Sequence, residues 1–574
     1  MSRWPRVLLL AFAFAAGTCA ATVRYVDPAS PSAYDAGNGG ARHPYRTLAY
    51  AMTRLEPGDT LNLAAGVYRQ SLLFPKRTWT SAQTVIQSAP GGGTALIKGS
   101  DVVTGWRKIA PGLFVKRPWA TASEQVFVDG KSLQQVGGTV FGGYPDNPDH
   151  PLHGLKLPHG GIWPGRVAGG IEHMTPDSFY YDAVTHALYV RTPLASLDGH
   201  TVEASVRPYL ALGKNLRHVT LRNLRFEHSN TTAVAQSGAL ALSGDHLRLK
   251  NLDIRQVDGA GLDVTGNDVV IRDSRANYCG QVGMKVRGRG DRLIDNETNF
   301  NNTRGFNKWW EAGGAKFVGA GGLQDSEVTG QVAIGNNGDG LWFDWMNKND
   351  RVHGNVAAYN AGFGIQYEAS QGGYLYDNYV FGNRQRGIYL PDASHSVVAH
   401  NLVASNGMEG IAIVDEGRAS SNPALVPRGN VVFGNIVAWN GKAALVLPAG
   451  GLDNASDYNL FVSGATPARF SLGWGSRASP VREGLVAWQK ASGQDLHSWG
   501  APLALPQALA FALRAARPDP PWGPLETLAR GKAARPVVAA HAPLPRALRV
   551  PATAGPASAP PAARSETASA RGAQ

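Results

Sequence analysis

From about residue 245 the chain repeats one pattern: Asn or Asp, an alternation of apolar and polar residues, Asn, small residues, then Gly-apolar-x-apolar-x. Alternation with period two predicts strands that bury one face. The glycine opening the second strand stands at Gly261, Gly283, Gly314, Gly340, Gly364, Gly387 and Gly410, in steps of 22, 31, 26, 24, 23 and 23. A column of turn residues, Asn251, Asp273, Asn296, Gly330, Asn355, Asn378 and Asn401, keeps the same register. Both columns stretch between residues 296 and 330, so one coil carries an insertion of about ten residues, and this contains TRGFNKWWEAG. A 22- to 23-residue repeat of short strands with Asn or Gly corners predicts an all-β solenoid, the parallel β-helix. The Leu-x-x-Leu-x-Leu frame of a leucine-rich repeat is missing. The asparagines read as structural, bonding corner backbone and stacking as a ladder.

The remaining chain divides around this body. Residues 1–21 read as a signal peptide, with Arg3 and Arg6 before LLLAFAFAAG and small residues for cleavage after Ala20 or Ala21. Residues 22–103 hold a cap and the first coils, 104–200 an inserted β-rich subdomain with hairpins at FVDGKSL and FYYDAVTHALYV, and 201–480 the main solenoid. Residues 481–574 turn to Ala and Pro, with one helical stretch, PQALAFALRAA, and a largely disordered basic tail.

Composition agrees with a repetitive body. Glycine is 69 of 574 residues and charged residues are only 17% beside 43% hydrophobic, which excludes wholesale disorder and, without a Gly triplet, collagen. The net charge of +12 is concentrated in the leader and in the tail from Arg514 onward, and the body keeps +4, too little for a nucleic-acid surface. No later stretch reaches the roughly 18 apolar residues of a membrane span. Without Cys19 of the leader, Cys279 stands alone, so no disulfide framework is expected. The chain is expected to be a secreted or periplasmic monomer.

The segment YVDPASPSAYDAGNGG with HPYRTLAYAMTRLEPGDTLNLAAGVYR resembles the entry of secreted right-handed parallel β-helix proteins of the pectate lyase-like class, where a short capping helix, here Leu48 to Leu55, precedes the first coil. DSFYYDAVTHALYVRTP, LRNLRFEHS and GDGLWFDWMNKN resemble a subgroup of β-helix glycoside hydrolases. The resemblance spans roughly residues 22–470 and implies the fold and a carbohydrate substrate, whereas this architecture hosts hydrolases, lyases, epimerases and binding proteins alike.

In Gly-apolar-x-apolar-x the second and fourth residues after glycine point out of the coil. The first of these columns reads Asp263, Lys285, Lys316, Trp342, Gln366, Tyr389 and Ala412, and the other Thr265, Arg287, Val318, Asp344, Glu368, Pro391 and Val414. Charged and aromatic residues gather in the middle coils, as a site would. Asp344 and Glu368 share one slot in adjacent coils, which predicts carboxyl groups near the ~5–5.5 Å spacing of retaining glycosidases. Their repulsion would raise one proton affinity and give an acid beside a nucleophile. Asp344 with Asp392 offers the wider inverting gap. Calcium held by Asp344, Glu368 and Asp339 is the other reading, although no cofactor is expected. Trp342, with Trp309 and Trp310 of the insertion, suits the C–H faces of sugars. Glu311 and Asn307 offer hydroxyl contacts, and His228 is either a polar partner at the groove edge or a corner histidine. Lys285, Arg287 and Lys316 could serve a lyase or epimerase on uronate glycans, as a Lys or Arg base with neutralising charges. A third reading is a non-catalytic glycan-binding β-helix. The favoured expectation is glycoside hydrolysis of a polysaccharide or oligosaccharide by the Asp344 and Glu368 pair.

Overall fold

A computed structural model describes residues 21–137, 170–306, 308–319, 321–420, 422–450, 452–473 and 480–502. The predicted leader, the PQALAFALRAA stretch and the basic tail lie outside these residues, as does Asn307. The fold is a parallel β-helix. Two long sheets of 13 and 14 strands run the length of the solenoid, and the third side is made of sheets of five and seven strands. No helix among the described residues is long and apolar enough to cross a membrane.

The capping helix forms at Leu48–Thr53, with the Thr47 hydroxyl accepting from the Tyr50 amide at 3.2 Å and Leu48, Ala51 and Met52 turned onto the first coil. The strand Thr84–Ser88 pairs in parallel directly with Val219–Arg222, so the chain between them leaves the solenoid and returns in register. That excursion builds two small, mainly antiparallel sheets of four and five strands with their own apolar cores. At the other end the solenoid runs past residue 480. The helix Leu485–Ser492 lays buried Trp488 on Phe470, and the strand Trp499–Pro502 pairs with Leu460–Ser463. The Ala- and Pro-rich composition of the C-terminal region had hidden this closure.

Inside the coils, the first and third residues after each glycine fill the core, with the tilted rings of Phe317, Phe343 and Tyr367 in a row at 4.4 and 5.5 Å between centroids. The glycines themselves are required by space and not by an unusual φ. A Cβ on Gly364 would lie 2.3 Å from Val380 Cγ1 and 2.7 Å from the Gly387 carbonyl, and Gly314, Gly340, Gly387 and Gly410 are equally crowded.

The asparagine column resolves into two adjacent positions. Asn251, Asp273 and Gly330 have left-handed backbones, with φ of 50, 52 and 64°. Asn296, Asn355, Asn378 and Asn401 form the buried ladder, in which each Oδ1 accepts from a backbone amide of the preceding coil; Asn378 Oδ1 accepts from Asn355 N at 3.1 Å and Asn401 Oδ1 from Asn378 N at 3.0 Å. A second ladder, Asn301, Asn336, Asn360, Asn383, Asn406 and Asn440, lies beneath the glycine column. These bonds satisfy corner amides that water cannot reach.

Candidate functional site

The strands Val282–Arg289, Gly313–Phe317, Asp339–Asp344 and Ile365–Glu368 lie side by side in the 14-stranded sheet. Two interruptions of the repeat wall them in. One enters before Gly313, where successive asparagines of the second ladder, Asn301 and Asn336, are 35 residues apart. The other leaves after Val414, where Asn401 and Asn435 are 34 apart, against 23 in the preceding coil. The outward columns are therefore not an open surface: Lys285, Lys316, Trp342, Gln366, Tyr389 and Glu368 are all buried.

Between the walls lies a cavity of about 580 Å³. Lys285, Arg287, Trp309, Trp310, Glu311, Lys316, Trp342, Asp344 and Glu368 line it together with Gln236, Trp345 and Arg418. Asp344 and Glu368 are direct register partners. Lys316 Nζ lies 3.0 Å from Asp344 Oδ2 and 3.4 Å from the Trp342 ring centroid, and it donates to the Trp310 carbonyl. Glu368 Oε2 accepts from Trp342 Nε1 at 2.8 Å and Gln366 Nε2 at 2.7 Å, while its Oε1 meets Arg418. Burial, then the neighbouring Asp344 charge, pushes the Glu368 carboxyl up to about 7 against the opposing pull of Arg418.

The remaining cations are matched as well. Lys285 pairs with Glu311 at 2.7 Å and donates to the Gln236 carbonyl at 3.0 Å, and Arg287 pairs with Asp263 at 3.0 Å. Arg418 spans three acids, Glu368, Asp392 at 2.8 Å and Glu416 at 3.0 Å.

Four sequence-predicted residues do not line the cavity. Gln366 acts on it through Glu368. Tyr389 donates its hydroxyl to Glu416, and its ring meets both the Phe363 ring and the Arg386 guanidinium. Asp392 is fully buried, accepts from the Glu416 amide at 2.8 Å and anchors Arg418. Burial pushes its carboxyl up to about 6. His228 is a corner histidine, 2% exposed, stacked on Phe127 of the small subdomain with Nδ1 3.1 Å from Ser100 Oγ. Burial and Lys98 hold its pKa down to about 3, so it packs as a neutral ring.

Of the polar lining residues that the repeat reading missed, Gln236 and Arg418, it is Arg418 that meets the carboxyl pair. The glycine column ends at Gly410, and the signal for the second wall is the lengthened step to Asn435, one coil further on.

The calcium reading meets a donor set already engaged. Asp344 faces Lys316, Glu368 faces Arg418, and Asp339 Oδ1 accepts from the Phe363 amide at 2.7 Å. Among the described residues no three His, Cys, Asp or Glu side chains gather as a metal site.

Solved structures similar to this chain include the complex of XylC with xylose, at 13% identity over 83% of this chain and 82% of that one, with a TM-score of 0.49. A glycoside hydrolase matches at 12% identity over 76% and 96%, also at 0.49. The A-module of the mannuronan C-5 epimerase AlgE6 from Azotobacter vinelandii matches at 10% identity over 79% and 93%, at 0.34. No curated protein matches the sequence. The central coils, residues 225–437, match the family described as periplasmic copper-binding protein (NosD).

Proposed function

We propose that this protein is an exported glycoside hydrolase in which Glu368 is the proton donor and Asp344 the nucleophile. The observation that carries the reading is the asymmetry of two carboxyl groups in one register slot. Neighbouring strands stand about 4.8 Å apart, close to the ~5–5.5 Å carboxyl separation of a retaining mechanism. Glu368 is the buried member, and at about 7 it holds a proton up to neutral pH. Asp344 is the more exposed and is compensated by Lys316.

In the first step Asp344 Oδ attacks the anomeric carbon as the bond to the leaving oxygen breaks, and Glu368 gives its proton to that oxygen. The glycosyl ester then reacts with water, Glu368 taking the water proton as oxygen bonds to the anomeric carbon and Asp344 departs. Trp342 and Gln366 fix the carboxyl plane of Glu368, which is the positioning that efficient proton transfer needs. Indole faces in the wall offer apolar contact to sugar C–H groups.

The cation trio that a lyase would use supports hydrolysis instead. Lys285, Arg287 and Lys316 each face a carboxylate within 3.0 Å, and a uronate would have to displace those acids to be neutralised. The test is a panel of neutral and uronate glycans followed for reducing ends and for the ultraviolet absorbance of an unsaturated product. New reducing ends without absorbance are expected, and an absorbance rise would overturn the assignment in favour of elimination.

A further inference from the structure

Asp344 pairs with Glu368, yet Asn347 N bonds Ser370 Oγ, so two residues, Trp345 and Met346, occupy the stretch that a single residue, Ala369, fills in the next coil. Both adopt left-handed backbones, with φ of 59 and 70°. For side chains of this size that conformation costs on the order of 1–2 kcal/mol per residue. An extra residue of this kind swings a side chain out of the strand pattern. Here it places Trp345 on the cavity wall, 45% exposed, one residue from Asp344. Trp342, three residues earlier, is 6% exposed and bonds Glu368. The cavity thus has an indole at its inner wall and another nearer solvent, with the carboxyl pair beside both.

Resting on the hydrolase reading, we infer that Trp345 is a specificity residue that carries the sugar ring on the leaving-group side of the broken bond. The ring to be transferred lies inward, beside the carboxyl pair. The next ring along the chain leaves the cavity over the exposed indole, which covers its apolar face. The substrate is then an oligosaccharide or chain end recognised on both sides of the bond.

Trp345→Gly separates this role from a structural one. Glycine takes φ near 59° without strain, so Tm is expected to stay the same or rise. Against neutral oligosaccharides of two to six units, kcat/KM is expected to fall about tenfold or more, as the loss of a stacked aromatic contact implies. Against the matching glycosyl fluorides, whose leaving group occupies no such position, it should stay within about twofold. Trp345→Phe, which keeps a ring, should recover part of the loss. Equal losses on both substrate types, or none, would overturn the inference. Calorimetry of the same oligosaccharides gives a readout independent of cleavage. If the parent binds longer chains more tightly but cleaves nothing, the hydrolase reading falls while the subsite stands, provided that Trp345→Gly erases the length dependence. If the dependence persists in the variant, the subsite falls.

Discussion

Asp344 and Glu368 occupy the same position on adjacent parallel strands but are compensated differently: Lys316 lies 3.0 Å from Asp344, whereas Glu368 meets the indole of Trp342, the amide of Gln366 and the guanidinium of Arg418. Identical geometry with unlike surroundings is how one pair of carboxyls acquires two roles.

The first prediction follows from those roles. Glu368→Gln should lower kcat about 10²- to 10⁴-fold, the range of a lost general acid. The loss should be smaller on substrates whose leaving group needs no proton. Asp344→Asn should abolish turnover on both kinds while circular dichroism and Tm stay close to the parent. In the parent, kcat/KM should fall above about pH 7, because the donor is protonated only below its raised pKa. Full activity in both variants would remove the pair from catalysis.

The second concerns Arg418, a positioning residue. The charged groups acting on Glu368 are Asp344 and Glu416, which raise its proton affinity, and Arg418 and Lys316, which lower it. Arg418→Gln takes away one of the two opposing cations, so the alkaline fall of kcat/KM should move above that of the parent. Arg418→Lys should hold it nearer the parent value. A variant that loses only stability, with an unmoved pH profile, would leave Arg418 as a mere clamp between Glu416 and Asp392.

What could be read from the chain alone follows the physics of the repeat. Inward and outward alternation of strands such as Asp339–Asp344 is local, so the core and the slot shared by Asp344 and Glu368 were legible from spacing. Burial of the outward column was not, because it depends on two segments folding back over the sheet. Trp309 and Trp310 announced the first wall by interrupting the period, whereas Arg418 lies beyond the last glycine of the column. His228 shows the same limit: its corner position is in the period, but the Phe127 ring that buries it arrives from the excursion, 101 residues earlier in the chain.

The third prediction tests the reason for the glycine column. Gly364→Ala forces a Cβ to 2.3 Å from Val380 Cγ1 and 2.8 Å from Asn383 Nδ2, in a corner held by ladder bonds. Overpacking of this kind costs typically about 1–3 kcal/mol. Gly464→Ala, where an added Cβ meets nothing within 4 Å, should be neutral or slightly stabilising in the same urea titration. Equal midpoints for the two variants would show that the glycine column serves no steric purpose in the corner.

The fourth turns on Asp350, a carboxyl in the third corner ladder, whose side-chain acceptors are Asp291, Ser326, Asp350, Ser396, Asn430 and Asn454, with Gly373 between Asp350 and Ser396. Its Oδ1 accepts from the Ser326 amide at 3.1 Å and its Oδ2 from the Tyr367 hydroxyl at 3.4 Å. Burial pushes it from 3.8 up to about 8. The folded chain therefore keeps a proton that the unfolded chain releases near pH 4, so this group's contribution is complete below that pH and is lost as pH rises through about 8. Asparagine keeps the acceptor oxygen and carries no charge, as Asn430 and Asn454 show further along the same ladder. Asp350→Asn should thus match the parent most closely near pH 4, exceed it increasingly between pH 5 and 8 and hold a constant advantage above that, measured as the difference in Tm. A difference that is flat with pH would mean that Asp350 ionises in the folded chain as freely as in the unfolded one.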